Sequence, residues 1–384
     1  MFAIMKKVEI FIRAHLPHSF GLVFDGWTMA GIHIVGRFAV FPPTDAIPCC
    51  RVLLAFLPLE DESDRSAQSL SDFLADTLSE FERPWSCVLF VSGENCSVNL
   101  YIGDHGVIPF IGCASHRYNH AVQLFLEEQS TLISRANKLM LKASTVKGRA
   151  CLAKVTGMHP KFKNETRWSR TMKMLKRCDE LIPALRQIST KDAVKCGVDK
   201  MMLTAAEVVN LSKLLEDLVK LDSVTVELQS ESLTMLKVRK RFDHTVSNYP
   251  VTKKYLSATA SIINNAVYER ALAKLQSGRK LIPAEKNVSC RLAVANADVE
   301  DSDDGEGSSD PKSTRVSFVQ QAFKRRRLAG PKEVYIDINF IPSTSNICER
   351  LFSQSKLILT DQRRAMKPPT LEMIVFLRAN RSLW

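Results

Sequence analysis

Segments with the composition of β-strands are concentrated in the first 115 residues and nearly vanish from the next part of the chain. The first three strand candidates follow one another with only short turns, which favours an antiparallel meander. A helix is predicted over about 66–82, where apolar residues recur every three or four positions, and further helices are expected between the last two strands and from 116 to about 141. This order predicts an α+β fold. The strand candidates are 20–27, 33–41, 50–59, 85–93 and 108–115.

From about residue 145 to residue 290 the sequence predicts helices only. Residues 205–221, for example, place their apolar side chains on one helical face. The stretch 297–313 carries seven acidic residues and, apart from Val299, no bulky apolar residue, which predicts a flexible loop. The basic run 324–327 fits three interpretations, namely a nuclear import signal, a phosphate contact or a charged helix end.

Two more helices are predicted near the C-terminus. The first lies within 342–359, where Ser and Thr cap candidates precede an apolar stripe that begins at Ile347. The second follows Pro368 and Pro369, with Thr370 as its candidate cap. It is apolar around much of its circumference, so it is either deeply buried or part of an interface.

Positive charge is concentrated in one segment of the chain. The formal net charge is +12, and residues 131–190 contain fourteen Lys and Arg against three acids, a net charge of +11. Such a concentration is typical of a protein that binds a polyanion such as nucleic acid. The other interpretation is a solvated helix face with its counterions.

The remaining composition points to an intracellular protein without a membrane segment. Ten cysteines show no compact spacing, which favours reduced thiols. Residues 1–17 lack the pattern of a secretion signal. No apolar run approaches the roughly 18 residues that span a bilayer.

Asp25 interrupts a strand candidate that is otherwise apolar, FGLVFDGWT at 20–28. Strand interiors are depleted in Asp, and burying a bare carboxylate is prohibitive. The Asp25 carboxylate must therefore be solvated, paired with a cationic side chain or bound to a cation.

Several stretches in a fixed order resemble the transposases of the hAT superfamily, across nearly the whole chain. They are FDGWT at 24–28, SGENCSVN at 92–99, FIGCASHRYNHAV at 110–122, ETRWSRTMKMLKR at 165–177 and the block 343–384, which opens with STSNICERLFSQSKL. The C-terminal block is the most specific of them. The predicted order of strands and helices is also that of an RNase H-like sheet, although several other α+β folds share it.

The resemblance implies an α+β architecture in which an RNase H-like mixed sheet with flanking helices is interrupted by an all-helical insertion domain. Residues 1–144 would form the first part of the catalytic core and 145–292 the insertion domain. Residues 293–331 would be a flexible acidic and basic loop, and 332–384 the last part of the core with the dimerisation region. The family's N-terminal BED zinc finger has no counterpart in the 24 residues before Asp25, which suggests a truncated copy or an element remnant.

For the active site, the resemblance implies a DDE carboxylate triad made of Asp25, Glu94 and Glu349. These catalytic acids would hold two Mg²⁺ or Mn²⁺ ions roughly 4 Å apart for phosphodiester cleavage and strand transfer. The purely structural alternative for Asp25 is an ion pair with a nearby Arg or a cap on the turn before Gly26. The alternative for Glu349 is a surface carboxylate paired with one of its neighbours, Arg350 or Lys356.

The second acid departs from the family pattern. The transposases of the hAT superfamily carry Asp before Asn at this position, whereas this chain has Glu94 before Asn95. The extra methylene moves the carboxylate by roughly 1.5 Å, and a misplacement of about 1 Å can lower a rate on the order of a hundredfold. Glu94 could therefore bind metal and still be a poor catalytic residue.

Cys113 and His116 match the family's Cys-x-x-His element, which implies a catalytic role beside the active site. Alternatively, Cys113 packs at a strand end and His116 caps a helix. A structural zinc site is not expected, because such sites need four ligands and no second pair lies nearby.

For DNA binding, Arg167 and Trp168 match the family's Arg-Trp segment. The resemblance implies that Trp168 stacks on an unpaired base at a cleaved end, a contact worth about 1–3 kcal/mol. The alternative is a core Trp that anchors the helical domain. Lys161, Lys163, Arg170 and Lys173 are the further DNA-binding candidates.

Together these features predict a nuclear, hAT transposase-derived protein that dimerises and binds DNA generally, with a degenerate or co-opted acidic site. The alternative is an active Mg²⁺-dependent transposase or nuclease.

Overall fold

A mixed five-stranded sheet forms in the N-terminal part of the chain. The computed structural model describes residues 1–29, 31–58, 66–105, 108–163, 168–294, 334–359 and 366–384. The strands are β1 (Phe20–Met29), β2 (Ile32–Val40), β3 (Arg51–Pro58), β4 (Val88–Gly93) and β5 (Phe110–Gly112).

The spatial order of the strands is β3-β2-β1-β4-β5. The pairs β1–β2 and β2–β3 are antiparallel, as the short turns between them predicted. The pairs β1–β4 and β4–β5 are parallel. In consequence β1 and β4 end at the same side of the sheet.

Helices surround this sheet and make up the following section of the chain. In the first part they are α1 (Phe2–His15), α2 (Ala67–Glu80), α3 (Ser97–His105), α4 (Ala114–Glu127) and α5 (Ser130–Ser144). The next eight are α6 (Val146–Leu152), α7 (Trp168–Gln187), α8 (Thr190–Cys196), α9 (Ala205–Leu228), α10 (Met235–Asn248), α11 (Lys253–Leu256), α12 (Ala266–Gln276) and α13 (Pro283–Val288). Near the C-terminus follow α14 (Asn346–Ile358) and α15 (Pro368–Ala379). Short 3₁₀ helices lie at Trp85–Cys87, Asp199–Met201, Pro250–Thr252, Cys290–Leu292 and Arg381–Leu383.

The predicted α+β class is confirmed, and within 145–292 the described residues form helices and turns without a strand. Four local predictions were wrong. The helix expected from 116 to 141 is two helices, α4 and α5, and β4 begins only after a 3₁₀ turn. The fifth strand is short because Cys113 already occupies the N-cap of α4. Thr370 is not a cap, because α15 begins at Pro368, and a proline without an N–H fits the first helical turn. The predicted acidic loop 297–313 and the basic run 324–327 lie outside the described residues.

Helix α14 packs closely on β1 and β2, and this contact depends on Gly36. A Cβ atom at Gly36 would lie 3.2 Å from Leu351 Cδ2 and 3.3 Å from Phe352 Cε1. On the same side, the Phe352 ring stacks on Trp27 with a centroid separation of 5.7 Å. Helix α14 is therefore held against the sheet end from which Asp25 emerges.

Helix α15 is buried within the chain's own core, where it packs against β3, α1 and α14. Phe376 is only 1% exposed, and Leu371, Val375 and Leu377 are buried with it. Of the two alternatives for this apolar helix, deep burial is the one observed. Phe376 is consequently not accessible to a second copy, and self-association stays a prediction.

Asn380, at the end of α15, covers the outer edge of β3. Its side-chain Nδ2 donates to the Leu53 carbonyl at 2.9 Å, and its Oδ1 accepts from the Leu53 N–H at 3.0 Å. Asn380 is 2% exposed, so this pairing is buried. The Asn380 side chain thus satisfies the two Leu53 backbone groups that a further strand would otherwise pair with.

We expect Asn380→Ala to destabilise the fold by about 2–4 kcal/mol, because two buried backbone groups lose their partners at about 1–3 kcal/mol each. Urea unfolding followed by circular dichroism should show a lower midpoint for the variant. Ser382→Ala, at an exposed position two residues further on, is the matched control and should unfold like the wild type. Equal midpoints for Asn380→Ala and wild type would contradict the assigned role of Asn380.

Candidate active site

Two acidic residues lie side by side where β4 ends beside β1, because these two strands run parallel. Val23 of β1 lies opposite Ser92 of β4. Asp25 lies two residues after Val23 on β1, and Glu94 lies two residues after Ser92, directly after the end of β4. The strand register therefore places these two residues side by side, although 69 positions separate them in the sequence.

Asp25 is buried, with 6% of its surface exposed. Its Oδ1 accepts from the Gly26 N–H at 2.9 Å, and its Oδ2 accepts from the Ser345 hydroxyl at 3.3 Å. Within the described ranges, no Lys, Arg or His forms an ion pair with it. The alternative of an Arg partner is thus not found there, and the alternative of a turn cap does not apply, because Gly26 lies inside β1 and pairs with Val35.

The pKa of Asp25 lies well above its ordinary value. Burial is the main cause, and the negative charges of Glu94 and Glu349 raise the pKa further. The hydrogen bonds from Gly26 and Ser345 lower it and offset only part of this shift. The Asp25 carboxylate thus sits in an environment that disfavours its charge and would gain from a bound cation.

Glu349 reaches this corner from the first turn of α14. Its charge is close enough to raise the pKa of Asp25, although 324 positions separate the two residues. In the described part of the chain, however, no three His, Cys, Asp or Glu side chains are arranged to hold a metal ion together. Glu94 and Glu349 thus lie close enough to influence the charge of Asp25, and metal binding by the three acids stays a prediction.

Glu94 also contacts His116, the first of a pair of histidines on α4. Its Oε1 lies 3.3 Å from Nδ1 of His116, and Nε2 of His116 lies 2.8 Å from Nε2 of His120. One of these two nitrogens must donate and the other accept, so at least one ring is neutral. Burial lowers the pKa of His120, and the neighbouring His116 lowers it further, while Glu94 opposes them. His116 thus contacts the predicted second acid, and the N-terminus of α4 has no side-chain cap bond.

Cys113 joins the elements that build this corner. Its Sγ accepts from the Ser345 N–H at 3.3 Å, and its own N–H donates to the Gly93 carbonyl at 2.8 Å. Burial raises the pKa of the Cys113 thiol to about 11, so the thiol stays protonated near neutral pH. These contacts support the alternative in which Cys113 packs at a strand end, and they give no support to a nucleophilic role.

The predicted DNA-binding residues lie apart from this corner, around the start of α7. Lys161, Lys163, Arg170 and Lys173 are exposed, and none of them has an ion-pair partner in the ranges that the structure describes. Arg167 lies outside the described residues. Trp168 is 4% exposed and lines a cavity of about 530 Å³ together with Lys163. Its burial matches the alternative of a core Trp, and stacking on a base would require it to be uncovered.

Two residues of the site were missed by the sequence reasoning. Ser345 was treated only as a helix cap, whereas its hydroxyl donates to Asp25 and makes no cap bond. His120 lies four positions after His116 and thus on the same face of α4, so helical spacing could have identified it.

The comparisons with known proteins add no identification. No protein-family model matches this sequence, and no curated protein matches it. Among the residues that the structure describes, none of the helices is both long enough and apolar enough to traverse a membrane.

The raised pKa of Asp25 predicts a pH-dependent cost to stability in metal-free protein. A carboxyl group with a raised folded-state pKa binds its proton more tightly when folded. Its contribution therefore becomes unfavourable as the pH rises above the unfolded value near 3.9 and through the folded value. We expect Asp25→Asn to raise the melting temperature by a few degrees at pH 7 and to have little effect at pH 4.

Thermal unfolding in the presence of a chelator, measured at several pH values, checks this prediction. Asp45→Asn removes the same charge from an exposed loop position and serves as the control. A difference between Asp25→Asn and wild type that is independent of pH would contradict the assignment of the effect to the Asp25 charge.

Proposed function

We propose that this chain is a hAT transposase-derived protein that binds DNA generally and dimerises, with an acidic site that has lost full competence for phosphodiester cleavage. The proposal includes an RNase H-like core, an all-helical insertion and action in the nucleus. The observation that carries it is Asp25, a buried strand carboxylate with two further carboxylates near it. A purely structural Asp inside a strand would gain nothing from two additional negative charges.

The sheet supports the RNase H-like part of the proposal. The three antiparallel strands agree with the meander that the sequence pattern suggested, and two parallel strands follow in the spatial order β3-β2-β1-β4-β5. In this arrangement the acids come from β1, from the end of β4 and from a C-terminal helix, as the resemblance implies.

The residues around Asp25 partly fit a pair of divalent ions. Asp25, Glu94 and Glu349 would hold the ions, since carboxylate oxygens are the ligands that Mg²⁺ prefers. When bound, such ions activate a water or a 3′-hydroxyl and stabilise the leaving oxygen of a phosphodiester. Glu94 fits less well, because its longer side chain contacts His116. The Ser345 hydroxyl would orient the Asp25 carboxylate, and the His116 ring would orient that of Glu94.

Glu94→Asp tests whether the extra methylene limits this site. The shorter side chain should bring the carboxylate back toward Asp25, and we expect cleavage of hairpin and linear DNA ends with Mg²⁺ or Mn²⁺ to rise by up to about a hundredfold. Glu94→Gln keeps the length and removes the charge, so it should abolish any cleavage. A Glu94→Asp variant no more active than wild type would contradict the idea that this substitution causes the loss.

Metal binding can be measured without activity. Millimolar Mg²⁺ or Mn²⁺ should raise the melting temperature of the wild type, because a ligand that binds only the folded state stabilises it. Asp25→Asn should remove most of this rise. Equal stabilisation of both proteins by the metal would show that the ions bind elsewhere.

For DNA binding, we expect an affinity that depends on salt and only weakly on sequence. Replacing Lys161, Lys163, Arg170 and Lys173 by Gln should reduce the slope of log affinity against log salt by about 3–4 units. The control replaces four exposed lysines elsewhere, Lys7, Lys213, Lys240 and Lys280. If both quadruple variants lose the same slope, only net charge matters and the surface at α7 is not the binding site.

A further inference from the structure

A cavity of about 270 Å³ beside the C-terminal helices is lined by four arginines. Arg51 comes from the start of β3, Arg350 from α14, Arg378 from α15 and Arg381 from the 3₁₀ turn that follows. Arg51, Arg350 and the pair Arg378 and Arg381 are separated in the sequence, and the packing of α15 on β3 and α14 brings them together. We call this cavity the arginine pocket.

The arginine pocket has a surplus of positive charge. Glu231 is the only acidic residue among its lining residues. It pairs with Arg51 at 2.9 Å and with Arg350 at 3.2 Å. Arg378 and Arg381 have no ion-pair partner in the described part of the chain, and both are exposed. Among the described residues, a single carboxylate thus pairs with two of the four guanidinium groups, and the other two have no ion-pair partner there.

Such a set of guanidinium groups has the chemistry of a phosphate site. Each planar guanidinium can donate two parallel hydrogen bonds to a phosphate, and arginine remains charged at any physiological pH. Glu231 pairs with Arg51 and Arg350, so these two guanidinium groups already face one carboxylate before an anion arrives. Glu231 also competes with that anion for the same donors.

A second cavity, of about 180 Å³, adjoins the arginine pocket and shares Arg51, Glu231 and Arg350 with it. It continues along residues 339–344, and the next residue, Ser345, donates to Asp25. The ion-paired group Arg51–Glu231–Arg350 therefore stands between the arginine pocket and the segment that leads to the acidic corner.

We propose that the arginine pocket binds a phosphate group and that Glu231 holds its arginines in place until the anion displaces it. The phosphate can belong to a nucleic-acid strand or to a small phosphate compound, since both present the same oxygens to the arginines. This site is separate from the exposed basic residues at α7 and does not require the acidic corner to be active.

The test measures binding of pyrophosphate and of a short 5′-phosphorylated single-stranded oligonucleotide to the full chain by calorimetry at low salt. Replacing Arg378 and Arg381 together by Gln should weaken binding by about tenfold or more. Both residues are exposed, so the variant is expected to fold. Glu231→Gln should strengthen binding severalfold, because the competing carboxylate is removed and its amide oxygen can still accept from Arg51.

Arg279→Gln removes a charge at an exposed position outside the pocket and is the control. If both probes bind and the Arg378 and Arg381 replacements weaken both, the result supports a site for small phosphate compounds. Binding of the oligonucleotide alone supports a site for a nucleic-acid strand. If neither probe binds, or if the Arg378 and Arg381 replacements weaken binding no more than Arg279→Gln does, the proposal is overturned. Equal or weaker binding by Glu231→Gln would overturn the competing role of Glu231.

Discussion

The close packing of α14 on β1 and β2 is the contact on which both candidate sites depend. It is possible because Gly36 has no side chain at the point where Leu351 and Phe352 approach the sheet. Ser345 and Glu349, at the start of this helix, reach Asp25 only in this position. Arg350 lines the arginine pocket from the same helix. A Cβ atom at Gly36 would press on the Leu351 and Phe352 side chains, which would have to shift by a few tenths of an ångström.

The acidic corner lowers the stability of the fold that contains it. Burial and two neighbouring carboxylates disfavour the charge of Asp25, and the bonds from Gly26 and Ser345 offset this only in part. The surrounding contacts supply the compensation. Phe352 of α14 stacks on Trp27, and the Phe56 ring lies beside both. A destabilising arrangement kept in place by its surroundings is typical of a functional site.

Much of the fold could be predicted from the sequence because strand and helix patterns are local. The three antiparallel strands followed from short turns between apolar segments, and Asp25 stood out because it interrupts one of those segments. The sequence left two alternatives open for the C-terminal helix, deep burial or an interface. An apolar surface does not reveal whether its own chain or a second copy covers it.

The side-chain partners of the site could not be predicted in the same way. The Ser345 hydroxyl can bond its own helix terminus or a distant carboxylate, and only the docking of α14 on β1 decides between them. The burial of Trp168 likewise depends on how α7 packs against α5. The arginine pocket gathers its four arginines from three separate parts of the chain, near residues 51, 350 and 378–381, so no single spacing in the sequence indicates the whole set.

The acidic corner and the arginine pocket are linked by electrostatics as well as by structure. Glu349 and Arg350 are consecutive on α14, so their side chains leave the helix about 100° apart, and only Arg350 lines the arginine pocket. A polyanion attracted by the arginines would be repelled by Asp25, Glu94 and Glu349 as it extended along 339–345. Cations bound at the corner would remove that repulsion, because they would neutralise the charges that a phosphate chain meets there. Under the proposed function, metal binding and polyanion binding would therefore favour each other, and the single helix α14 would carry that coupling.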